Sequence, residues 1–177
     1  MPWYLGMTAS NFTLQGKATA DVSLTVVYPE APEPGLYRID LVGLDVDNAI
    51  TYPLSVYLHV LEIPEFRVEY DYTVVPVHPA NPTNLTVRVY NDGNTEIGYD
   101  LFLQAPAGWS AGFTDLSNDP GATSGSTGLI AKGGQMDVSM QFTPPQVSTA
   151  AGTPRTVTLT AISQTEPSQT WEVDIPL

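Results

Sequence analysis

The 177-residue chain contains no cysteine, which excludes disulfide staples, thiol nucleophiles and thiolate metal sites. Positive charge is scarce: six Lys and Arg face nineteen Asp and Glu, for a formal net charge of -13. No basic stripe outweighs that balance, so nucleic acid is excluded as a partner and an anionic membrane surface is disfavoured. There are two histidines, His59 and His78, which fall in different parts of the chain with no second imidazole beside either. They supply neither a zinc site nor the base of a serine hydrolase, and no Gly-x-Ser-x-Gly elbow is present. No apolar run approaches the ~18 residues of a membrane-spanning helix. Met1-Pro2-Trp3-Tyr4-Leu5-Gly6-Met7 has neither the positive start nor the apolar stretch of a signal peptide. Charged residues make up 14% of the chain, against about 25% in ordinary domains. Helical stripes are missing, and sixteen prolines would interrupt most helices of useful length.

What the chain does have is period-two alternation, the mark of half-buried strands. In the first part it places Val22, Leu24 and Val26 on one face, then Tyr37, Ile39 and Leu41, then Leu54, Val56, Leu58 and Val60. In the second part, Phe66 to Val77 is rich in aromatic and β-branched residues, and Leu85 to Tyr90 alternates cleanly into Asn91-Asp92-Gly93-Asn94. That Asp-Gly pair predicts a hairpin turn with Ile97 to Leu103 as the partner strand. Further strands are expected at Met136–Phe142, Thr156–Ile162 and Trp171–Ile175. Asp119 to Gly128 reads as a surface loop by its Gly, Ser and Pro content. The fold class that follows is all-β: an immunoglobulin-like β-sandwich over residues 65–177, preceded over 1–64 by a partial sandwich, joined by the short Leu61 to Glu65 connector.

An internal repeat underlies this division. Gly16 to Pro29 corresponds to Lys132 to Pro145, with Asp-Val-Ser recurring at Asp21 and Asp137. Gly35-Leu36-Tyr37-Arg38 matches Gly152-Thr153-Pro154-Arg155, and Trp3 falls where Trp109 falls in the second copy. The first copy thus begins about halfway through a domain. Three resolutions are open: the chain is a piece of a longer protein, a partner chain supplies the remaining strands, or the half-domain packs on the second domain.

The motif series Asn91-Asp92-Gly93-Asn94, Ala105-Pro106-Ala107-Gly108-Trp109-Ser110, Ile130-Ala131-Lys132-Gly133-Gly134-Gln135 and Phe142-Thr143-Pro144-Pro145 resembles the alpha-galactosidase-associated, NPCBM-associated (NEW3) domain family. The resemblance covers most of 66–177, and its second half covers 3–62. It implies an immunoglobulin-like module, often tandem, beside glycosidases, proteases or anchors in an extracellular or cell-envelope setting. It carries no catalytic residue and no cofactor.

Acid-base catalysis needs carboxylates gathered in a cleft. Here Asp21, Asp40, Asp137, Glu172 and Asp174 fall at outward strand positions, so no enzyme is expected. Asp45, Asp47 and Asn48, like Asp115, Asn118 and Asp119, form acidic turns without the spacing of a calcium loop, and no metal site is assigned. Tyr99, Trp109, Phe113 and Trp171 are the candidates for a carbohydrate platform, which would present exposed rings to a sugar face. The function expected is a non-catalytic accessory, spacer or assembly module of a secreted or cell-surface protein. One alternative is a carbohydrate-binding module attached to a glycosidase, and another is a module that completes its sheet with strands from elsewhere. The partners expected are other domains of the same parent, a further copy in a dimer or oligomer, or a polysaccharide, without membrane insertion.

Overall fold

In a computed structural model, the chain is described over residues 4–9, 11–28, 32–71, 73–116, 121–146 and 155–177. Every regular element among the described residues is a strand, and the chain divides into two compact units, Met1–Val60 and Leu61–Leu177. The first unit has two two-stranded antiparallel sheets. One joins β1 (Tyr4–Met7) to β2 (Leu24–Val27), and the other joins β3 (Gly35–Asp45) to β4 (Ile50–Val60).

The second unit has eight strands: β5 (Phe66–Glu69), β6 (Thr83–Asn91), β7 (Ile97–Gln104), β8 (Ser110–Phe113), β9 (Ser124–Ile130), β10 (Gln135–Thr143), β11 (Thr156–Ser163) and β12 (Thr170–Pro176). They form two four-stranded sheets, ordered β5-β6-β10-β8 and β12-β11-β7-β9. The first is the order of the larger sheet of a constant-type immunoglobulin domain, and β12-β11-β7 is that of the smaller one, with β9 added at its edge. Alternation explains the core. Leu85, Val87 and Val89 of β6, Tyr99, Leu101 and Leu103 of β7, Val138, Met140 and Phe142 of β10, and Val157, Leu159 and Ala161 of β11 all turn inward and are buried. Their strand neighbours Thr86, Arg88 and Gln141 face out.

Four sequence expectations are corrected here. Asn91-Asp92-Gly93-Asn94 is no hairpin: β6 pairs with β5 and β10, while β7 pairs with β11 and β9, so the segment crosses from one sheet to the other. Both faces of a sandwich need apolar strands, and alternation alone does not say which sheet a strand joins. Ser124 to Gly128, read as loop, lies in β9; its small residues suit a tight site, since a Cβ on Gly125 would stand 2.7 Å from that of Leu116. Of the described residues from Phe66 to Val77, only Phe66–Glu69 are strand. Leu54, expected inward, is 59% exposed.

The two units share strand registers. In the first, Tyr4, Leu5, Gly6 and Met7 face Val27, Val26, Thr25 and Leu24. In the second, Ser110, Ala111, Gly112 and Phe113 face Thr143, Phe142, Gln141 and Met140, the positions that the sequence match assigns. The bond that follows also recurs: Thr8 N–H donates to Ser23 O at 3.0 Å, and Thr114 N–H to Ser139 O at 2.9 Å. For β3 and β4, inward residues align with inward ones when Ile39 and Leu41 stand for Val157 and Leu159, and Val56 and Leu58 for Ile175 and Leu177; Ile39 then pairs with Val56 as Val157 pairs with Ile175. That register shifts the sequence match at Gly35 by one residue. Trp3 and Gly152-Thr153-Pro154 lie outside the described residues.

Candidate functional site

The proposed platform residues do not form one. Tyr99 and Phe113 occupy inward positions of β7 and β8 and are fully buried, because in a sandwich an inward ring fills the space between sheets. Trp171 is half-buried, its ring 5.9 Å from both Phe66 and Tyr99. Trp109 is half-buried against the same core, at a turn where its N–H donates to Pro106 O. Two of the four rings are thus closed to a ligand, and the other two pack on the core.

What the structure gathers instead is a polar hub at the sheet-to-sheet crossing. Asn91 is fully buried. Its Nδ2 donates to Thr95 O at 2.7 Å and to Ile130 O at 2.9 Å, and its Oδ1 accepts from Gly93 N–H at 3.0 Å. One side chain thereby fixes the turn and ties β6 to the end of β9. Asn94 does the same for the connector, accepting from Ile63 N–H at 2.8 Å and donating to Leu61 O at 2.9 Å. Gly93 is required by space: a Cβ there would lie 2.6 Å from Ile63 O. The Tyr99 hydroxyl donates to Glu65 O at 2.7 Å, and burial, helped by the charges of Asp92 and Glu65, pushes its pKa far up. Leu61 to Glu65 is therefore clamped onto the second unit rather than left as a loose joint. The sequence signal is two asparagines bracketing Asp-Gly, a pattern that predicts a hairpin turn and does not reveal the buried bonds.

Outside the hub, exposed charges pair locally. Arg67 donates to Asp92 at 2.6 Å and also bonds Glu69, and its guanidinium lies 3.8 Å from the Tyr90 ring centre. In the turn after β3, Asp45 accepts from Asp47 N–H, Asn48 N–H and Asn48 Nδ2, and those bonds, the Asn48 side chain first, hold its pKa below the usual carboxylate range. Its oxygens are thus engaged by the turn itself. Asp115 accepts from Ser139 N–H at 2.8 Å, while Asn118 and Asp119 lie outside the described residues. His59 and His78 are exposed, one in each unit. Among the described residues, no three His, Asp or Glu side chains are grouped to hold a metal, and no helix is long and apolar enough to cross a membrane.

No family model matches the chain, and no curated protein sequence matches it. Among solved structures, it is similar to a FixG-related protein from Vibrio parahaemolyticus, at 13% identity over 64% of this chain and 94% of that one, with a TM-score of 0.42. It is similar to domains 4 and 5 of the S-layer protein SbsC at 15% identity, over 98% of this chain and 96% of that one, with a TM-score of 0.37. It is also similar to the secreted serine protease VesC from Vibrio cholerae at 17% identity, over 64% of this chain and 22% of that one, with a TM-score of 0.41. The immunoglobulin-like assignment rests on the strand order and registers above.

Proposed function

We propose that the chain is a non-catalytic accessory or spacer module of a secreted or cell-envelope protein, with its first unit a partial copy of the sandwich formed by the second. The observation that carries this reading is where the polar chemistry is spent. Among the described residues, the four buried polar ones, Asn91, Asn94, Thr127 and Ser163, bond to neighbouring backbone or side chains, and no buried side-chain polar atom lacks a partner. Those bonds fix turns and strand ends within the second unit, so its buried polar groups serve the fold. A surface poor in charge and rich in Thr and Ser, rigid sheets and a clamped connector suit a part whose task is to hold other domains in place. The family resemblance of 66–177 points to the same setting.

Retention of the full chain on cellulose, chitin, starch and peptidoglycan, together with a glycan array, tests this reading. A spacer shows no retention above a serum albumin control. Saturable binding abolished by Trp109→Ala or Trp171→Ala would replace it with the carbohydrate-binding reading.

A further inference from the structure

The edges and faces of the first unit differ from those of the second in one respect that points to an occupant. In the second unit β11 is flanked on both sides, by β12 and β7. Its counterpart β3 is flanked only by β4 among the described strands. The counterpart of β4, β12, is an edge strand, and β4 carries Pro53, whose missing N–H blunts an outer edge. β3 has no proline in its eleven residues. An isolated two-stranded ribbon is marginal in water, and its open edge is a template for another strand.

We infer that two copies of this chain pair edge to edge through β3, antiparallel about a two-fold axis at Ile39, to give a four-stranded sheet ordered β4-β3-β3-β4. The choice of a second copy follows from the strand's own sequence. Centred on Ile39, the pairing sets Arg38 opposite the partner's Asp40 and Asp40 opposite the partner's Arg38. Within one chain Arg38 and Asp40 are already 2.7 Å apart on the exposed face, so the axis assembles an alternating quartet of charges. The same register sets Leu36 opposite the partner's Val42, residues 67% and 66% exposed in the single chain. On the inner face, Tyr37 meets the partner's Leu41, and the two copies of Ile39 adjoin. A shift of centre to Asp40 would oppose two carboxylates directly, which disfavours the neighbouring register. The two-fold makes the interface isologous and closed, so assembly stops at two. Strand number per sheet then equals the four of each sheet in the second unit.

The test is the solution mass of the full chain by light scattering from micromolar to millimolar concentration at ~0.15 M salt, where long-range repulsion between acidic chains is screened. The expected result is a monomer that passes to the mass of two chains and no further. Asp40→Arg opposes like charges twice and weakens the dimer at least tenfold, and adding Arg38→Asp to that variant restores it. Since the chain has no cysteine, register is read directly. Under oxidation the double variant Leu36→Cys, Val42→Cys yields a covalent dimer, while Leu36→Cys, Leu44→Cys stays monomeric. A chain monomeric throughout overturns the inference. So does a dimer insensitive to the charge swap, or one cross-linked only by the Leu44 variant. Circular dichroism on each variant confirms that the exposed substitutions leave the fold intact.

Discussion

Two regions of this molecule share strand registers and differ in what lies over them. In the second unit Leu159 is fully buried and Trp171 rests on Phe66 and Tyr99. In the first, Leu41 at the position of Leu159 is only half-buried, and Tyr52, at the position of Trp171, is 58% exposed. Met7 is 52% exposed where its counterpart Phe113 is closed from water. The pairing of strands is thus the same while the burial is not. Backbone register can be set by local alternation and turn geometry, whereas most stabilisation comes from apolar area removed from water, at roughly 25 cal/mol per Å².

The largest difference should appear when one methyl-rich side chain is deleted at equivalent places. Leu159→Ala leaves a cavity in a sealed core and should cost about 3 kcal/mol. Leu41→Ala, at a half-wet position, should cost about 1 kcal/mol or less. Native-state hydrogen exchange resolved by peptide reads both, through β11 in the first variant and β3 in the second. Equal losses would break the comparison and imply that the first unit is as well covered in solution as the second.

Comparable in size is the effect of the polar hub, which has no counterpart among the described residues of the first unit. Asn91→Ala strips the partners from Thr95 O, Ile130 O and Gly93 N–H in a buried place, where an unsatisfied group costs about 1–3 kcal/mol. A total loss of about 3 kcal/mol is expected in urea unfolding followed by tryptophan fluorescence, with β3 exchange unchanged. Loss of β3 protection in that variant would show that the two units do not unfold independently.

Which parts of this were legible in the sequence follows from what alternation encodes. It located β2, β3, β4, β6, β7, β10, β11 and β12, because each alternates apolar and polar residues in sequence, although β4 leaves Leu54 exposed, and the match of Asp21 with Asp137 aligned β2 with β10. It could not assign β6 and β7 to opposite sheets, since Val87 and Leu101 face one core from two sides and carry the same pattern. It missed β9, where Gly125, Ser126 and Gly128 give a strand the composition of a loop. Parity also decides the aromatic residues: Tyr99 and Phe113 fall at inward strand positions, where their rings are closed to a ligand. Asn91 was hidden because a buried asparagine and a turn asparagine are the same letter, told apart only by where Ile130 O lies.

The smallest effect concerns the turn that closes β3 on β4. Ala49 there has a φ of 54°, in the left-handed region where a Cβ crowds the following carbonyl at a cost of about 1 kcal/mol. Glycine removes that strain but adds freedom to the unfolded chain, so Ala49→Gly should gain about 0.5 kcal/mol net. In a sealed sandwich so small a change would be lost in the whole. In a ribbon held by its own ladder and its Asp45 turn, it should appear as slower exchange at Ile39 and Leu41 by about twofold. No change in β3 exchange would mean that packing, and not the hairpin, limits the stability of the first unit, which would narrow the distance between the two regions from the opposite side.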